Sequence, residues 1–218
     1  MIFPLCPKAR QRRKDARPGE LMSAALKVFG ERGFAATRLE EVAQRAGVSK
    51  GTVYLYFDSK EALFKAAVES AIEPALEEGE AIAADLSIPA ADCLRKFIFW
   101  WWEKVGTTDI GALPKLLVAE IGNFPELGRW FHDNLIMRGK QAAARIIARG
   151  IANGEFRAAE PMDVARIFFA QMFSYVLWRR AFGPAMPDLP EPEAYFNLAV
   201  DLLTNGLKTN PDKEKPCA

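Results

Sequence analysis

The chain predicts an all-α fold in two parts: an N-terminal three-helix helix-turn-helix domain, then a second, larger helical domain. Three observations predict it. Apolar residues recur at helical spacing and no strand alternation persists. Pro18, Pro89, Pro114, Pro125, Pro161 and Pro192 each stand ahead of a helical pattern, where a ring-fixed φ is favoured and the missing N–H is not needed. The run from Thr37 to Phe57 has the pattern of two short helices joined by a tight turn.

Taken in order, the pattern gives about nine helices, at 18–32, 38–45, 49–56, 59–80, 89–105, 113–123, 125–152, 161–182 and 191–208. Pro74 is expected to kink or end the fourth, because it lacks a donor and its ring crowds the preceding turn. Gly33 and Gly154 read as helix stops. Residues 1–17 read as a flexible basic arm, 18–62 as the helix-turn-helix domain, 63–208 as the second domain and 209–218 as a disordered tail.

Within the helix-turn-helix, Thr37 and Glu40 have capping-box spacing, in which each side chain satisfies an orphan backbone donor. Leu39, Val42, Ala43 and Ala46 share one face. Gly47 stands where the chain must turn sharply, and Val48 and Val53 plug the angle between the helices. Ser49, Lys50, Gly51, Thr52, Tyr54 and Tyr56 are left outward. Lys50 can donate to a phosphate or a guanine edge, Gly51 permits close backbone approach, and the Thr52 hydroxyl and methyl suit a base edge.

The stretch Leu26-Lys27-Val28-Phe29-Gly30-Glu31-Arg32-Gly33-Phe34 leads into this motif, and Asp58-Ser59-Lys60-Glu61-Ala62-Leu63-Phe64 follows it. Over roughly residues 18–65 the sequence resembles the DNA-binding domain of the TetR/AcrR family of bacterial transcriptional regulators. Beyond that the likeness is one of helical pattern. The resemblance implies a homodimer on a palindromic operator, most often a repressor released by a small molecule. It implies phosphate anchoring at Thr37, Ser49 and Lys60, and backbone or base contacts at Tyr54 and Tyr56. Read from the residues alone, Tyr54 is either a contact or a half-buried packing group, and Lys60 either an anchor or a solvated charge. Thr37 is a cap in either case.

Charge supports a division of labour. The net charge is only +1. Yet Lys8 to Lys60 holds 12 Lys/Arg against 6 Asp/Glu, and the remainder 17 against 22. A basic module on an acidic body fits a protein that meets phosphates at one end. The three cysteines (Cys6, Cys93 and Cys217) have no metal-ligand spacing, so no metal and no cofactor are expected, and a reducing cytoplasm is the simplest location. Phe97 to Trp102 is the most apolar run and is too short to span a bilayer. His132 is the chain's one histidine and no nucleophile motif accompanies it, which leaves little equipment for an enzyme.

The second domain is rich in aromatics, which suit a mostly apolar pocket and an ordinary core alike. Trp101, Glu120, Phe124, Phe131, Gln171 and Tyr175 are the pocket candidates, since they combine polar and aromatic groups on helices expected to face one another. Helices 161–182 and 191–208 are apolar on more than one side and must bury more than one side. Phe169, Phe173 and Val176 on the first, with Phe196, Val200 and Leu203 on the second, are the expected dimer stripe. A central helix enclosed within one monomer is the alternative. Control by a protein partner instead of a small molecule is a further one.

Overall fold

The computed structural model describes residues 7–186 and 188–208. Its helices are α1 (Pro7–Arg32), α2 (Leu39–Arg45), α3 (Lys50–Tyr56), α4 (Lys60–Ala84), α5 (Ala90–Trp101), α6 (Leu113–Glu120), α7 (Pro125–Phe131), α8 (Met137–Ala152), α9 (Pro161–Phe182) and α10 (Pro192–Leu207). A π turn at His132–Ile136 joins α7 to α8, so they run as one rod and the ten helices make nine rods among the described residues. A second π turn, Trp102–Gly106, extends α5. No strand occurs among the described residues; Phe156 and Lys208 form an isolated antiparallel bridge.

Local chemistry explains most boundaries. Gly33, Gly47 and Gly154 all have positive φ, at 83°, 67° and 73°, where a side chain would be strained. Ser49 caps α3 and Ser59 caps α4, their hydroxyls accepting the amides of Thr52 (3.2 Å) and Ala62 (3.0 Å).

Two expectations are corrected. α1 starts at Pro7 and not at Pro18, so the segment read as an arm is helical backbone from Pro7 onward. Pro7 occupies a first helical position, and the Ala, Lys, Arg and Gln after it are strong helix formers. Residues 1–6 of that segment, and all of the expected tail, lie outside the described residues. α4 runs through Pro74 to Ala84. Pro74 faces solvent, so water can serve the carbonyl it leaves unpaired, while packing against α1, α5 and α8 holds the rest of the helix.

Two apolar cores result. The first joins Leu21, Phe29, Val42, Val53, Leu63 and Phe64 of the first four helices, and Phe34 of the α1–α2 loop, to Leu113, Leu117, Leu127 and Leu135. The helix-turn-helix is thus packed continuously into the second half of the chain. The second core gathers Cys93, Phe97, Ile98, Ile146, Phe168, Tyr175 and Phe196 from α5, α8, α9 and α10. Trp101 packs against both.

Candidate nucleic-acid interface and interior cavity

α2 and α3 cross through buried Val42, Ala43 and Val53, which leaves the opposite side of α3 open. Ser49, Lys50, Gly51, Tyr54 and Leu55 are exposed, and Thr52 and Tyr56 are half-buried. Tyr56 packs on the first core. The Ser49 and Thr52 hydroxyls lie 2.9 Å apart, so the cap is shared between them. The Lys50 ammonium meets the Glu40 carboxylate at 2.5 Å and lies 5.7 Å from the Tyr54 ring centre. That partner holds the Lys50 pKa above its ordinary value and the Glu40 pKa below its own. Leu55, 71% exposed, also lies on the outer side of α3 and was not among the contact residues expected there. Position 55 lies one turn beyond Gly51, which is the signal that would have found it.

Thr37 and Lys60 differ from expectation. Thr37 is 3% exposed and its hydroxyl donates to the Gly33 carbonyl at 2.6 Å. The capping box does not form: Arg38 stands at the cap position, which moves Glu40 out of the register that the box requires and lets it reach Lys50. Buried in this way, Thr37 presents no hydroxyl to a phosphate. The Lys60 ammonium donates to the carbonyls of Ala35 (3.0 Å) and Thr37 (3.2 Å) and lies 4.7 Å from the Phe34 ring centre. It clasps the loop between α1 and α2.

The same loop is held from the other domain. Glu120, at the end of α6, accepts the Ala35 amide at 3.0 Å and is itself buried. A Cβ on Gly33 would lie 2.8 Å from the same carboxylate oxygen, so the close approach requires glycine. Phe34 packs edge-on against Phe64 (5.4 Å) and Phe124 (4.8 Å) and stacks on Phe29 (5.7 Å). Glu120 and Phe124, expected to line a pocket, instead form this junction.

Between the two cores lies a cavity of about 320 Å³. Trp101 and Phe131 line it, as expected, whereas Gln171 and Tyr175 do not. Tyr175 is buried, with its hydroxyl donating to the Pro190 carbonyl (2.8 Å) and accepting from Arg179 (3.0 Å). Burial pushes its pKa up. Gln171 is exposed and accepts the Tyr195 hydroxyl at 3.0 Å. The walls come from α4, α5, α6, α7, α8 and α9, and both π turns contribute, through Val105, Leu135 and Ile136. Such turns shift the side-chain register by a residue and recur at functional sites.

The expected dimer stripe lies mostly inward in the monomer. Phe169 and Phe173 line the cavity, Val176, Phe196 and Val200 are buried in the monomer, and Leu203 packs half-buried on the second core. Exposed in their place are Ile167, Trp178 and Phe182 on α9 and Leu198 and Leu202 on α10. No helix among the described residues is long and apolar enough to cross a membrane. No metal-binding group of side chains occurs among them either.

Comparison with known proteins agrees with this architecture. Residues 21–67 match the family profile described as bacterial regulatory proteins, tetR family. Residues 94–204 match the C-terminal domain of AefR-like transcriptional repressors. The chain is 28% identical over 171 residues to the HTH-type transcriptional regulator YfiR of Bacillus subtilis, spanning 77% of this chain and 82% of that one. A TetR-family regulator structure from Mesorhizobium loti superposes with a TM-score of 0.74 at 22% identity, covering 90% of this chain and 99% of the other. Bacillus subtilis FadR, solved in complex with stearoyl-CoA, gives 0.69 at 20% identity, covering 87% and 98%.

Proposed function

The chain is a transcriptional regulator of the bacterial tetR family and not an enzyme, and from that premise we propose that it is a cytoplasmic, homodimeric repressor released from a palindromic operator by a small effector in the interior cavity. One observation carries the effector part of this reading. The cavity is walled by α4 and α6, and these two helices hold the loop that leads into the helix-turn-helix, through Lys60 and Glu120. An effector lowers DNA affinity only if it binds the released arrangement better, and couplings of about 1–3 kcal/mol are usual. A filled cavity that displaces α6 or α4 would change that loop directly. Control by a protein partner would need no interior space, so the cavity favours a small molecule. The stearoyl-CoA bound by FadR supports a largely apolar one.

The exposed face of α3 supports groove reading, and the basic N-terminal stretch supports phosphate attraction. The test is titration of fluorescent duplex fragments from the DNA flanking the gene, at two salt concentrations, against random DNA. We expect one fragment to be preferred and its affinity to fall steeply with salt. No preference at either salt would overturn the sequence-specific reading.

The same titration separates the members of the interface. Lys50→Ala should weaken the preferred fragment by about 1–3 kcal/mol and random DNA less. Glu40→Gln should strengthen binding to every fragment at low salt, because it frees the Lys50 ammonium and removes a negative charge beside the phosphates. An unchanged low-salt affinity in Glu40→Gln would show that the pair does not face DNA. Lys60 already donates to two carbonyls, so its substitution should act through loop order as well as charge.

A further inference from the structure

Resting on the reading of the cavity as the effector site, we propose that its ligand is an amphipathic organic anion: an apolar body carrying a carboxylate or phosphate, with Lys140 and Arg166 meeting the charged head. Among the described residues the cavity lining is otherwise largely apolar, these are its only charged side chains, and no carboxylate, amide or hydroxyl side chain lines it.

The two cations come from neighbouring helices, α8 and α9, beside Gly139 and Phe169. The Phe169 ring lies so close to Gly139 that a Cβ there would meet it at 2.9 Å. Arg166 is exposed and pairs with Asp163 on its own helix. Lys140 is half-buried and has no carboxylate partner among the described residues. An anion entering the cavity would give Lys140 the opposite charge that no carboxylate among the described residues supplies. Trp100, in the same wall, has a buried indole N–H with no acceptor among the described residues. That N–H is closed off from the cavity, so Lys140 is the charged group of the lining that lacks a partner among the described residues.

That sign decides the ligand class. A cationic effector would meet the like charge of Lys140, and a neutral one would gain nothing from it. An anion satisfies the head position, while its apolar body has Ile72 and Leu76 of α4 and Leu113 and Leu117 of α6 to pack against. These helices hold the loop before the helix-turn-helix, so the body and not the head would act on DNA affinity.

The test uses four probes that share one tail: dodecanoate, dodecyl phosphate, dodecanol and dodecylammonium, each below its aggregation threshold. Binding to the full chain is followed by tryptophan fluorescence, since Trp100 and Trp101 line the cavity. We expect at least one of the two anions to bind about tenfold or more tighter than dodecanol, with dodecylammonium weakest, as charge-assisted hydrogen bonds require. Whichever anion is stronger identifies the head. Lys140→Met, which keeps the apolar stem, should remove most of the preference and leave dodecanol affinity unchanged; Arg166→Met should remove a smaller part. Equal binding of alcohol and anions, no binding of any probe, or a preference surviving both substitutions would overturn the proposal. Operator release is measured in parallel. Selective anion binding that leaves the DNA complex intact would uphold the anion site and overturn the effector reading instead.

Discussion

In the proposed homodimer, replacing Leu198 and Leu202 together by glutamate should give a monomer and lower operator affinity by about 100-fold or more. Both side chains lie on α10, one turn apart, and are 59% and 67% exposed. On α9, Ile167, Trp178 and Phe182 are exposed as well, and the last two rings stack at 4.8 Å between centres. Apolar groups gathered on two neighbouring helices are what a subunit interface needs, whereas isolated exposed leucines are ordinary. A two-fold dimer binds the second half-site as an intramolecular step, so losing the partner removes that gain without touching α3. Because both leucines face solvent in the monomer, glutamate there should leave its fold intact. Light scattering gives the mass, and titration of the preferred fragment gives the affinity. A double variant that keeps the dimer mass would place the interface elsewhere. Val200→Glu serves as the contrast: that residue is fully buried, so the change should unfold the chain.

Phe34→Ala should lower stability by about 3–5 kcal/mol, the range for truncating a fully buried phenylalanine. Phe34 is 1% exposed and touches three rings: Phe29 on α1, Phe64 on α4 and Phe124 before α7. It therefore joins the helix-turn-helix to the body, and a void there cannot close without moving α1 relative to α4. Operator affinity should fall too, because the loop that follows Phe34 leads into α2. Glu120→Ala, which removes a single part-buried bond to the amide of the exposed residue Ala35, should cost about 1 kcal/mol. Its larger effect should be on effector response, through the loss of the α6 link. Urea unfolding of both variants orders them. A loss at Phe34 no greater than that at Glu120 would show that the ring cluster is not the joint between the halves.

Much of the fold was legible because it is written in local rules. A glycine with positive φ stops a helix wherever it occurs, as at Gly33 and Gly154, and proline suits a first turn, as at Pro114, Pro125, Pro161 and Pro192. The outward set on α3 followed from the register of one buried residue, Val53. Thr37 and Lys60 were less legible. Each is polar and near the motif, and only the path of the α1–α2 loop shows that both hold that loop together. Glu120 was singled out as a carboxylate among apolar residues, but the partner 85 positions away that explains its burial carries no sequence signal.

By itself, then, the sequence determined the helices, the helix-turn-helix and its outward face, because spacing and backbone preference act within a few residues. Tertiary structure alone decided which apolar stripe of α9 packs inward. A helical repeat shows that two faces are apolar; only the neighbours decide that Phe169 and Phe173 line a cavity, Val176 joins the core, and Ile167 and Trp178 stay open to solvent. The cavity and its two cations arise in the same way, from six helices, two π turns and the short turn at Asp109–Ala112, brought together over more than a hundred residues.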